Sequence, residues 1–126
     1  MRFVTDRTWA DVLAGTEKGR YTTRDLDRVE QAVEYLGSFL PALGISLELT
    51  TCTQWSKTRK MPTRESMERY LQNVRGLCAC LGLEPELPDS MERLTYQDAN
   101  RIELALEQAE KRLEQLLGDY QMRKEQ

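Results

Sequence analysis

The chain spells the same helix start twice. Residues 22–36 read TTRDLDRVEQAVEYL, and residues 95–109, 73 positions on, read TYQDANRIELALEQA. Thr22 falls over Thr95, Asp25 over Asp98 and Asp27 over Asn100. Arg28-Val29-Glu30 falls over Arg101-Ile102-Glu103, and Ala32-Val33-Glu34 over Ala105-Leu106-Glu107. A fainter third copy begins at Thr63, with Ser66, Glu68-Arg69-Tyr70 and Val74 over Asp25, Asp27-Arg28-Val29 and Val33. The uneven spacing is not a solenoid period. It is one helix start used three times, and it commits the chain to three principal helices.

Each copy opens with the chemistry of an N-terminal cap. A threonine hydroxyl can accept a hydrogen bond from a free N–H of the first turn. An acid three residues on, Asp25 or Asp98, completes a capping box and suits the positive end of the helix dipole. Ser66 fills that place less well. Tyr21 before the cap and Leu26 in the first turns form a hydrophobic staple. Arg28, Arg69 and Arg101 occupy equivalent places and are expected to serve equivalent roles at helix junctions.

A chain of 126 residues fits one domain with a modest core. Apolar residues are 40% and charged residues 31%, the balance of a globular chain rather than a disordered one. The net charge of −3 argues against the basic stripe of a duplex-binding surface, so nucleic acid is not an expected partner. The opening MRFVTDRTWADV lacks the apolar run of a secretory signal. No stretch approaches the roughly 20 apolar residues of a membrane span. Three cysteines without a signal point to reduced thiols in a cytosolic setting.

Taken in order, residues 1–20 form an arm with a short helix over 5–14, capped by Thr5 or Thr8, with Trp9, Val12 and Leu13 on one face. So short a helix needs outside support, so Trp9 is expected to pack on the bundle or on a partner. The core spans residues 21–117. Its first helix runs from Thr22 to about Leu40. Leu26, Val29, Val33, Leu36, Leu40 and Leu43 step 3, 4, 3, 4, 3 along a narrow seam, and Pro41 and Gly44 stop it. Ile45, Leu47 and Leu49 then alternate with polar residues, predicting a short β segment over 45–51. Its partner strand is expected from this chain or from another subunit. SKTRK, 56–60, reads as a basic solvated loop. The second helix starts at Thr63 and ends at Gly82, and Pro85 and Pro88 keep the next loop irregular. The third starts at Thr95 and runs to Gly118 or beyond, leaving 118–126 as a polar tail. The expected fold is mainly α: one helical domain of three principal helices, a short N-terminal helix and one β segment.

The residues offer little chemistry. The chain has no histidine, which removes the commonest general base and the Ser and Cys triads. Neither GxxxxGK[ST] nor GxGxxG occurs. Cys78 and Cys80 point about 200° apart on a helix and cannot chelate one ion together, with or without Cys52. Asp25, Glu30, Asp98 and Glu103 could be read as paired carboxylates, but di-metal bundles add an ExxH motif that cannot exist here. Caps and surface or inter-helix salt bridges with Arg28 and Arg101 account for them better. No catalytic residue, cofactor or metal site is expected, and the chain reads as a non-enzyme. Trp9, Tyr21, Ile45, Leu47, Leu49 and Trp55 are the candidates for protein contact. Thr22, Asp25, Arg28, Thr63, Arg69, Thr95, Asp98 and Arg101 are the caps and junctions. Arg64 and the basic run 57–60 are all that a nucleic-acid ligand could use.

The order of these pieces resembles a family of small proteins encoded by phages and prophages of Gram-positive, often gut-dwelling, bacteria. The resemblance rests on DRTWADV, YTTRDLDRVEQAVEYL, Trp55, PTRESMERYLQNVRGL and LPDSMERLTYQDANRIE, and spans residues 6–113. It implies a virion structural or tail-associated protein, partnered by other tail proteins, often with a variable segment after the last helix. The end at Gln126 favours an adaptor or connector of the tail or baseplate over an adhesin. Self-association is expected, since tail rings reuse one heterologous surface. The expected location is the virion tail, with the host cytoplasm during assembly. The other reading is a phage-encoded regulator or inhibitor that binds a host factor.

Overall fold

A computed structural model describes residues 2–58 and 61–125 of the chain, with side chains of α5 described as far as Gly118. Among these residues the elements are α1 (Trp9–Ala14), α2 (Thr23–Gly37), a 3-10 turn (Leu40–Leu43), α3 (Trp55–Thr58), α4 (Arg64–Cys80) and α5 (Tyr96–Glu125). The protein is mainly helical, with α2, α4 and α5 as its principal helices. Their repeated starts are made as the local chemistry requires. Asp25 Oδ2 accepts the Thr22 N–H at 2.7 Å, and Asp98 Oδ2 the Thr95 N–H at 3.2 Å. Ser66 Oγ accepts the Thr63 N–H at 2.8 Å. α1 repeats the device, with Thr8 N–H donating to Asp11 Oδ2 at 2.9 Å. The last helix continues through Gly118 to Glu125, where the sequence predicts a tail. One glycine costs a helix only about 1 kcal/mol relative to alanine, too little to end it.

The three principal helices run in the same direction. Their capped starts meet around one groove, lined by residues from the start of α2, the start of α4 and the segment 89–94. At the other end, Arg112 of α5 donates to the carbonyl of Leu81 just past α4. Parallel helices need long returns, and both returns, like the N-terminal arm before the first helix, are extended segments lying against the helices. The first arm, residues 2–8, runs along α5 beside the start of α2. The second, residues 44–54, runs back between α2 and α4. The third, residues 82–94, runs back along α4, where Arg75 donates to the Pro88 carbonyl at 2.7 Å. The core beneath them joins Val29, Val33 and Leu36 of α2, Tyr70, Val74 and Leu77 of α4, and Ile102, Leu106 and Ala109 of α5.

The predicted β segment is the first correction: no strand forms among the described residues. The alternation is real, since Ile45, Leu47 and Leu49 are half-buried and Ser46, Glu48 and Thr50 exposed. The segment is extended for another reason. Its apolar side chains enter the groove between two helices, and its backbone bonds to helix side chains instead of a ladder. Asn73 Nδ2 donates to the Thr50 carbonyl at 2.7 Å, and Glu30 accepts from the Cys52 N–H at 3.2 Å. A Cβ on Gly37 would stand 2.6 Å from Leu49 Cδ1, so the bare backbone there lets the leucine close on α2.

Candidate functional site

Of the acids Asp25, Glu30, Asp98 and Glu103, all but Asp98 are inside, and Glu103 makes an inter-helix salt bridge. Glu103, on α5, has no exposed surface, and Glu30, on α2, is 1% exposed. A buried charge is tolerated only when paired and hydrogen-bonded. Glu103 is fully engaged. It accepts from Arg7 Nη2 at 2.6 Å, from Arg28 Nε at 2.7 Å and Nη2 at 2.8 Å, and from the Val4 N–H at 3.1 Å. Asp25 closes the network, accepting from Arg28 Nη2 at 2.6 Å and Arg7 Nη2 at 3.3 Å. Its two carboxylates face two guanidinium groups, so the cluster is neutral, and it ties the first arm to α2 and α5. With two carboxylates beside it, the Arg28 guanidinium holds its proton more strongly than an ordinary arginine, chiefly through its hydrogen bond to Glu103.

Glu30 holds the second arm. Its Oε2 accepts from the Trp55 Nε1–H and from the Cys52 N–H. One turn earlier Asp27 accepts the Trp55 N–H at 2.5 Å, and from Ser56 the N–H at 3.1 Å and Oγ–H at 2.5 Å. The same grip recurs on α5. Asn100, at the place of Asp27, accepts the Arg7 N–H at 3.0 Å and donates to the Arg7 carbonyl at 2.9 Å. Glu103, at the place of Glu30, takes the N–H three residues before Arg7, as Glu30 takes the N–H three residues before Trp55. Arg7 and Trp55 are therefore counterparts, each sending a side-chain N–H into a buried glutamate. The third copy has Leu71 at that place, and its Glu68 pairs with Arg64 at 3.4 Å.

Burial dominates the remaining titratable groups. It raises the Glu30 carboxyl above its usual range, against the lowering effect of its bonds to Trp55 and Cys52. Glu30 Oε1 and Arg69 Nε are buried with no hydrogen-bond partner among the described residues, and Arg69 acts on Glu30 only through space. Tyr21 and Tyr70 share a short hydroxyl–hydroxyl hydrogen bond, and burial raises both phenols. Burial pushes the Cys78 thiol up to about 11, which leaves it protonated and unreactive. Among the described residues no group of three or more His, Cys, Asp or Glu is placed to hold a metal ion. No helix of theirs is long and apolar enough to cross a membrane.

Most predicted contact residues turn inward. Trp55 is 3% exposed, a core residue anchored by Asp27 and Glu30. Tyr21 bonds to Tyr70, and the Arg7 guanidinium lies 5.7 Å from its ring centre. Ile45, Leu47 and Leu49 pack against the chain's own core. The three arginines also part ways. Arg28 bridges Asp25 and Glu103, Arg101 meets Asp98 at 3.5 Å on the surface, and Arg69 faces Glu30 without touching it. Of the basic run, Lys57 lies in α3, while residues 59 and 60 lie outside the described residues. Trp9 is the exception, at 58% exposed, with Leu13 at 70% one turn on along α1.

α1 is held without being buried. None of its six residues is buried. Its cap, the Lys18–Asp11 ion pair at 3.4 Å and the turn at Gly19 fix it in place. A Cβ on Gly19 would stand 2.3 Å from the Asp11 carbonyl oxygen, so only glycine allows the turn to close there. The Trp9 ring stands 6.3 Å from that of Tyr96 on α5. Comparison with known protein families, curated proteins and solved structures finds no match.

Proposed function

We propose that the protein is a non-enzymatic structural component of a phage or prophage particle, an adaptor or connector of the tail or baseplate that works through protein contacts. The observation that carries this reading is α1. A six-residue helix with no buried residue is fixed by a capping box, an ion pair and a glycine turn. It presents Trp9 and Leu13 on one face to solvent. Leaving such a pair wet forgoes on the order of 2–4 kcal/mol of burial, and a rigidly held aromatic is the usual anchor of a protein interface. The buried carboxylates support the same reading, because Glu103, Asp27 and Glu30 Oε2 hold the arms in place. The pieces that resemble phage tail-associated proteins include DRTWADV, which supplies both the Arg7 anchor and α1.

A photo-cross-linking amino acid placed at position 13 in the phage-producing host tests this. The expected product joins the chain to another particle protein or to a second copy of itself. A product with a host protein alone would replace this reading by that of a phage-encoded inhibitor or regulator.

A further inference from the structure

We infer that the groove at the helix-start end of the bundle seats an extended segment of another protein, one carrying a bulky apolar side chain between basic neighbours. The groove measures about 890 Å³, within the roughly 300–1,000 Å³ range of ligand sites. Its floor is apolar, with Leu26 and Leu71 at the bottom and Met67 and Met91 beside them. Two methionines on a floor suit an adaptable contact with an apolar side chain. The rim is acidic. Glu68, Asp89 and Glu92 stand there against Arg64 among the described residues, and Arg64 already pairs with Glu68. Asp89 and Glu92 are exposed and make no ion pair among the described residues. Excess carboxylates favour lysine or arginine on the incoming chain and repel phosphate, which turns the groove away from nucleic acid.

The molecule itself supplies the reason for an extended occupant. The N-terminal arm and both returns between the principal helices run extended with apolar side chains pointing inward: Phe3 in the arm, Leu47 and Leu49 in the first return, Leu83 and Leu87 in the second. The end groove offers the same kind of floor, from two adjacent helices, and no segment of the described chain fills it. This inference does not rest on the particle reading, since neither Trp9 nor Leu13 lines the groove.

The test uses the full chain and a fluorescently labelled synthetic peptide, Lys-Thr-Lys-Phe-Thr-Lys. Two control peptides replace every lysine by glutamate or the phenylalanine by alanine. Binding is followed by anisotropy and by the methyl resonances of the methionines and the indole resonances of the tryptophans. The lysine–phenylalanine peptide is expected to bind, to shift Met67 and Met91 but not exposed Met61, and to bind about tenfold more weakly to the double variant Asp89→Lys, Glu92→Lys. Both substitutions are at exposed positions, and circular dichroism checks that the variant is folded. Any one of four results would overturn the inference: no binding up to about 1 mM, the weak end of specific recognition; equal binding of the glutamate peptide; undiminished binding to the double variant; or shifts confined to the Trp9 indole. Self-association that the double variant abolishes would also overturn it, by making a second copy the occupant.

Discussion

The two buried glutamates look alike in the sequence and behave oppositely. Glu103 meets two guanidinium groups and a backbone N–H, so removing its charge leaves Arg7 and Arg28 under-compensated. Glu103→Gln is expected to cost about 3–5 kcal/mol, the usual loss on breaking a buried pair, read as a lower urea midpoint with an unchanged slope. Glu30 meets only neutral donors at hydrogen-bond distance. A glutamine carbonyl can accept both, so Glu30→Gln is expected to change stability at pH 7 by less than about 1 kcal/mol, or to raise it. The pH dependence follows from burial. The folded protein holds the Glu30 proton more tightly than the unfolded chain, whose value is near 4.5. This group therefore favours folding most below that value, and the contribution is lost as pH rises through it to the raised folded value. Denaturation across that window should show a downward slope with pH that Glu30→Gln removes. An identical slope in both proteins would place the titration elsewhere. Neither burial is legible residue by residue, because a glutamate among polar neighbours reads as surface. The available signal was the repeat itself, which keeps an acid at 30 and 103 and has Leu71 in the third copy.

At the scale of elements, the sequence was legible wherever the chemistry is local. Thr22, Thr63 and Thr95 cap their helices because the box needs only residues three apart. The arms were not legible, because period-two alternation marks any chain with one buried face, and residues 45–49 have that face without strand partners. What holds an arm is a long-range bond to a helix side chain, such as Asn100 to Arg7, which no local pattern announces. Asn100→Ala removes three hydrogen bonds to Arg7, two to its backbone and one to its guanidinium, and is expected to cost about 1–3 kcal/mol. Amide exchange should speed up in residues 4–8 while α4 stays protected. Uniform acceleration would mean that the first arm and the bundle open as one unit. Gly19→Ala forces a Cβ against the Asp11 carbonyl. It should release α1, seen as lost protection over residues 9–14, at a cost of about 1–3 kcal/mol.

For the molecule as a whole, three starts foretold three helices, but not that they run in parallel. That arrangement follows from the returns being extended rather than helical, and the returns are the part a local reading misses. It gathers three helix starts, the end groove and the Trp9 face at one end of the protein. The contact role proposed for the protein uses that end. Such a role separates function from stability, since Trp9→Ala with Leu13→Ala should leave folding stability within about 0.5 kcal/mol. The most direct measurement is quantitative mass spectrometry of particles purified from an induced host. A particle component acting through Trp9 and Leu13 is expected at a fixed stoichiometry against the major tail or capsid protein as wild type, and depleted from particles while abundant in the lysate as the double variant. A wild-type chain present in the lysate and missing from particles would contradict that role.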